Sequence, residues 1–157
     1  MNNQLATQAY REIAAENATP VGLVILLYER LIQDIQNAAS TIADQDIDAR
    51  VAHLNHAFLI LQQLQGTLNF AAGPNVAHQL DRFYDVMRAK LLEAQIRQSK
   101  DLLLEQARLA AEVKESWVEV ERKEAGQTHA PATTAVVVAR DSLPTEDEPA
   151  YSSAWNA

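Results

Sequence analysis

The chain has 157 residues, 48% of them apolar, with only four Gly and five Pro, a composition that fits one helical domain with a substantial core. Its net charge is −8, from 13 basic and 21 acidic residues, which excludes nucleic acid and an anionic membrane surface as main partners, because neutralising phosphates needs clustered Lys and Arg. There is no cysteine, so disulfides, thiolate catalysis and cysteine-bound zinc are excluded as well.

Residues 1–19 are weakly patterned and read as an N-terminal cap segment. They show no apolar run behind a basic start, so no secretory signal is expected and the default location is the cytoplasm. Thr19-Pro20 marks a helix start, with Thr as the cap and Pro at the first helical position. The first long helix is expected to run to about Ala43. Val24, Tyr28, Leu31, Ile35, Ala38 and Ile42 form one apolar stripe with steps of three and four. Leu23, Ile25, Leu26 and Leu27 are extra, since a helix on a globular domain needs a stripe only about 100° wide. Something besides the core must cover these first turns. The run Val21 to Tyr28 is too short to span a bilayer.

Asp44-Gln45-Asp46-Ile47-Asp48 is an acidic connection whose carboxylates suit a helix N-terminus. The second helix is expected to reach about Leu68, with Ile47, Val51, Leu54, Phe58, Leu61 and Leu68 on its stripe. Gly73-Pro74 breaks the chain. The third helix, about Asn75 to Arg97, would bury Val76, Leu80, Phe83, Met87, Leu91 and Ala94, flanked by Tyr84 and Val86. Ser99 caps the fourth, about Lys100 to Lys123, with Leu102, Leu109, Val113, Trp117 and Val120 on its face. Four amphipathic helices with short loops predict an all-α antiparallel four-helix bundle over 20–123. Residues 124–157 hold three of the five prolines and a net charge of −4, and read as a disordered acidic tail. Ala135-Val136-Val137-Val138-Ala139 is an apolar island within it.

Catalytic and metal-binding constellations do not assemble. A di-iron bundle needs Glu-x-x-His pairs, and no histidine has Glu three residues before it. His53 and His56 fall on the polar side of their stripe and read as solvated. Asp44, Asp46 and Asp48 have calcium-loop spacing without the required Gly and distal Glu. No Gly-rich phosphate loop is present. No enzyme, metal or cofactor is expected. Ala52-His53-Leu54-Asn55-His56 is faintly like a histidine phosphotransfer core, but Asn55 and His56 stand where that core has Lys and Gly. A phosphotransfer bundle using His53 is therefore the second reading. A structural helical homodimer joined through its apolar end is the third.

Other segments resemble the FliS family of flagellar export chaperones. They are Ala9-Tyr10, the run Ala18-Thr19-Pro20-x-x-Leu23-Val24-x-Leu26-Leu27-Tyr28, Asp46-Ile47, Leu64-x-x-x-Leu68-Asn69, and Ala77-x-x-Leu80-x-x-Phe83-Tyr84-Asp85-x-Met87-x-x-x-Leu91-x-x-Ala94, with Trp117 closing the last helix. The chain departs from the pattern at Glu29-Arg30-Leu31, where the family often has Asp-Gly-Ala, and at Gly73-Pro74, where it has Gly-Gly. The resemblance implies a non-enzymatic cytoplasmic chaperone. It would bind the disordered C-terminal segment of flagellin, prevent premature polymerisation and deliver the subunit to the flagellar type III secretion apparatus, with the export gate as a further candidate partner. Tyr10, Leu23, Leu27, Tyr28, Leu68, Tyr84 and Met87 are the expected client-binding residues, as contacts or as groove walls. The segment bearing Tyr10 is expected to cover the same surface in the free protein.

Overall fold

A computed structural model of the chain describes the backbone of residues 2–128, and the side chains of that span except at positions 2–5, 10, 14, 15 and 128. Five helices follow in order: α1 (Asn2–Glu16), α2 (Pro20–Asp44), α3 (Ile47–Gly66), α4 (Pro74–Arg97) and α5 (Lys100–Thr128). No strand occurs among the described residues, so the all-α bundle is the fold. The chain divides into two compact units, Met1–Glu121 and Arg122–Ala157. In the second unit, residues 122–127 are helical and exposed. The tail beyond 128, with its island Ala135–Ala139, lies outside the described residues.

The helix starts are chemically specified. Thr19 Oγ1 accepts from the Gly22 amide at 3.0 Å, with Pro20 at the first helical position. Asp46 accepts from the Ala49 amide at 3.0 Å and Ser99 from the Leu102 amide at 3.2 Å. Each side chain satisfies an amide that has no partner inside its helix. Two helices end on a left-handed residue that is not glycine: Gln45 (φ 54°) after α2 and Gln98 (φ 51°) after α4.

The connections are short, so α2 to α5 alternate in direction. Their core is built on Tyr28, Leu31 and Ile35 from α2, Leu54, Leu61 and Leu64 from α3, Tyr84, Met87 and Leu91 from α4, and Leu103, Ala107 and Ala110 from α5. This corrects the expected stripes in three places. Ile47 and Val76 were assigned to the core, yet each is 58% exposed. Both stand in first turns, where the chain has only just joined the bundle. On α4 the core meridian passes through Ala77 and Tyr84 instead of Val76 and Phe83, and on α5 it passes through Leu103 and Ala107.

Asp34 on α2 is wholly buried. A buried carboxylate needs partners, and α3 supplies them. His56 Nδ1 contacts Asp34 Oδ2, and His53 Nδ1 lies 3.6 Å from Oδ1. Arg30 Nε, one turn earlier on α2, lies 3.4 Å from Oδ2. The two histidines are 34% and 46% exposed, as expected on the polar side of α3, and both rings also turn an Nδ1 to the α2 carboxylate. On α3 and α4, Gln65 Nε2 donates to Asp81 (3.1 Å) and Asp85 (2.9 Å), while its Oε1 accepts from Arg88 at 2.7 Å. These two clamps fix the register of α3 against its neighbours.

Residues 2–16 form a helix, α1, where the sequence pattern shows little. Every described side chain between Ala6 and Glu16 is exposed. Arg11 Nη2 donates to Gln33 Oε1 at 3.1 Å and links α1 to α2. At the other end of the chain, α5 continues five residues past the expected limit at Lys123. The added Glu124, Ala125 and Gln127 are good helix formers.

Candidate functional site

The surplus residues of α2 divide into three kinds. Ile25 is buried, Leu26 and Leu27 are half-buried, and Leu23 is 43% exposed. The three leucines border two neighbouring depressions. The first holds about 430 Å³ and lies among the start of α2, the α3–α4 connection, the first turns of α4 and Trp117 of α5. Leu23, Val24 and Leu27 of α2, Leu68 after α3, Val76 and Leu80 of α4 and Trp117 of α5 line it. The alternation of helix direction assembles this site: starts of α2 and α4, end of α3 and the later turns of α5 meet at one end of the bundle.

The second depression holds about 650 Å³ and involves α1, α2 and the end of α3. Its floor is Leu23, Leu26 and Leu27, while Arg11, Glu29, Arg30, Gln33 and Gln63 supply a polar margin. Leu23, Leu27 and Thr67 belong to both depressions. The two therefore adjoin along Leu23, Leu27 and Thr67 as one extended apolar groove. Its margin carries charges of both signs, so apolar contact, and not net charge, decides what fits.

Under the first depression lies a hydroxyl pair. Tyr28 and Tyr84 are 0% and 1% exposed, with hydroxyl oxygens 2.7 Å apart. Either hydroxyl can be the donor of this bond. Burial, followed by the neighbouring Tyr84 hydroxyl, raises the Tyr28 phenol well above its ordinary value. Burial raises Tyr84 too. Both phenols stay neutral and act as a polar plug between core and groove.

Of the residues expected at the site, Leu23, Leu27, Leu68 and Tyr84 lie together around the first depression. Tyr28 and Met87 are in the core beneath, 0% and 1% exposed. Tyr10 belongs to α1, but its side chain lies outside the described residues. Val21, Val24, Val76, Leu80, Thr67 and Trp117 also border the groove and were not singled out. Val76 carried a usable signal, an apolar residue in a first turn where the core cannot reach. No group of three or more His, Asp or Glu among the described residues is placed to hold a metal ion. No described helix is long and apolar enough to cross a membrane.

A helical bundle with an open apolar groove, and no catalytic cluster in it, is a polypeptide-binding type of architecture. Comparison with known proteins agrees with that class. The family described as "Flagellar protein FliS" matches residues 1–124. The flagellar secretion chaperone FliS of Campylobacter jejuni is 30% identical over 124 residues, covering 79% of this chain and 97% of its own. The protein of the same name from Bacillus subtilis is 28% identical over 119 residues, 74% of this chain and 88% of its own. The flagellar secretion chaperone FliSB of Pseudomonas aeruginosa is 28% identical over 116 residues, 71% and 92%. The chain belongs to the FliS family of flagellar secretion chaperones.

Proposed function

We propose that this protein holds the disordered C-terminal segment of flagellin in the Leu23–Leu27 groove, in the cytoplasm, and presents the subunit for export. The observation that carries this reading is the groove itself. Leucines at the start of α2 that the core does not need remain accessible, facing the apolar first turns of α4. An amphipathic client segment covers such a surface by laying its own apolar face into it. The client then cannot bury that face against another flagellin. Ordering a disordered client costs roughly 2–5 kcal/mol, which favours a long groove over one deep pocket, and the two joined depressions provide that length.

Helix α1 supports a second part of the proposal. It borders the second depression while its described side chains remain exposed, so it is a cover that a client can displace. Delivery to the export gate is the later step of the same reading.

Calorimetry with a synthetic flagellin C-terminal peptide tests the proposal. Binding is expected with a large negative heat-capacity change, the mark of apolar burial. Leu23→Lys should weaken it at least about tenfold, because part of a leucine contact worth about 1–2 kcal/mol is lost and an ammonium is placed in its stead. Stability should hardly change, since Leu23 is already 43% exposed. Equal affinity of wild type and variant would refute the groove. For the cover, deletion of residues 1–17 should tighten peptide binding; weaker or equal binding would show that α1 does not compete with the client.

A further inference from the structure

The floor of the groove changes character along α2. Leu23 and Leu27 belong to both depressions, and Arg30, the next step of the same helix face, borders the second one, since residues three or four apart share a face. Among the described residues, no charged side chain lines the first depression, whereas Arg11, Glu29 and Arg30 line the second. Arg11 reaches Gln33 Oε1 from α1, so it belongs to the cover. Arg30 belongs to the groove itself. Its side chain is 43% exposed, and its Nε lies 3.4 Å from Oδ2 of the wholly buried Asp34. Among the described residues its two Nη groups make no hydrogen bond. Asp34 Oδ2 also meets His56 Nδ1, so this carboxylate is shared and not reserved for Arg30. A guanidinium engaged at Nε still presents its Nη edge to a second carboxylate, in the fork geometry that suits one.

We propose, resting on the reading that a flagellin segment occupies this groove, that Arg30 fixes the register of the client by binding one of its acidic side chains. Charge complementarity of this kind sets register and specificity more than raw affinity. The segment that fits is amphipathic, with an apolar face on Leu23 and Leu27 and an Asp or Glu one turn beyond it. Slid toward the first depression, that acid would enter an apolar lining without a cation, which is costly. Slid the other way, the apolar face would lose its leucine floor. Asp34 engages the Nε edge and leaves the Nη edge of Arg30 for the client. Once α1 is displaced, Gln33, three residues from Arg30 on the same face, loses Arg11, and its amide N–H becomes a second donor to the same acid.

Calorimetry of the full-length protein with the synthetic flagellin C-terminal peptide tests this, at low ionic strength, where a half-exposed charge is least screened. Arg30→Gln should weaken binding about fivefold. Glu29→Gln, the opposite charge change at the same margin, should leave affinity equal or raise it. Each Asp and Glu of the peptide is then replaced in turn by its amide. One replacement should cost wild type the same factor of about five and cost Arg30→Gln almost nothing, the coupling expected of a direct pair. An Arg30→Gln protein that binds like wild type, while Leu23→Lys binds weakly, overturns the role of Arg30 and keeps the groove. So does a peptide series in which no acid is coupled to Arg30, or a Glu29→Gln protein that loses as much affinity as Arg30→Gln. A peptide that wild type does not bind at all overturns both readings. Should Arg30→Gln not fold, Arg30→Lys, which keeps the charge beside Asp34 but lacks the fork, takes its place in the cycle, with an expected loss of about threefold.

Discussion

The Tyr28–Tyr84 pair makes the sharpest stability prediction, because the two hydroxyls are buried against each other, 2.7 Å apart. Tyr28→Phe strands the Tyr84 hydroxyl in the core, and Tyr84→Phe strands that of Tyr28. One stranded buried hydroxyl costs about 1–3 kcal/mol, and each single variant should lose about that much. The double variant removes both hydroxyls, leaves no orphan in the pair, and should cost no more than the more costly single variant. Urea denaturation with a constant m-value reads these differences directly. Costs that add to within about 0.5 kcal/mol would show that the hydroxyls do not act on each other, and the plug would have to be abandoned as an account of this layer.

The same pair predicts a response to alkaline pH. Both phenols are raised in the folded protein, so the unfolded chain ionises first, near pH 10. Their contribution is whole below that value and is lost as pH rises above it, with a slope of about 1.4 kcal/mol per pH unit for each phenol; denaturation between pH 9 and 11.5 should show this slope, and the double Phe variant should flatten it. His56→Ala leaves Asp34 buried with a lost charged hydrogen bond and should cost about 2 kcal/mol. In an Asp34→Asn background the same change should cost much less, and an unchanged cost in the thermodynamic cycle would dissociate the ring from the carboxylate. Gln98→Gly relieves a left-handed backbone at the end of α4 and should stabilise by about 1 kcal/mol, read as a rise in the urea midpoint.

Local chemistry made the helices legible: Thr19-Pro20, Asp46, Gly73-Pro74 and Ser99 each sit where a helix begins, because a cap is decided by its nearest neighbours. The faces were less legible. A stripe drawn through Val76, Leu80 and Phe83 differs by one position from one through Ala77 and Tyr84, and helical periodicity alone cannot choose between them. Packing chose, since Tyr84 had a buried hydroxyl to meet on α2. Asp34 gave no signal of its own in the sequence: its partners His53 and His56 are on another helix, one turn apart, and only the fold brings them to it. Helix α1 has few core contacts, so it left almost no apolar pattern to detect. The groove was half legible. The surplus leucines of α2 announced that a cover was needed, but Val76, Leu80 and Trp117 were spent in advance on a core that does not extend that far.

That shortfall of the core is the link between fold and function. From Tyr28 to Ala38, α2 buries its stripe completely; before Tyr28 it carries three of its four leucines, and none of those three is fully buried. The phenol pair marks the changeover. Below it, Leu31, Ile35 and the facing leucines supply enough buried area to hold four helices together. Above it, the α3–α4 connection and the first turns of α4 stand far enough from α2 to leave space of about 430 Å³, a volume that well-packed interiors do not leave empty. Filling it with larger side chains from this chain, for example Val76→Phe, should raise stability while lowering affinity for a flagellin segment. A variant that gains stability with affinity intact would mean that the client lies elsewhere on the bundle.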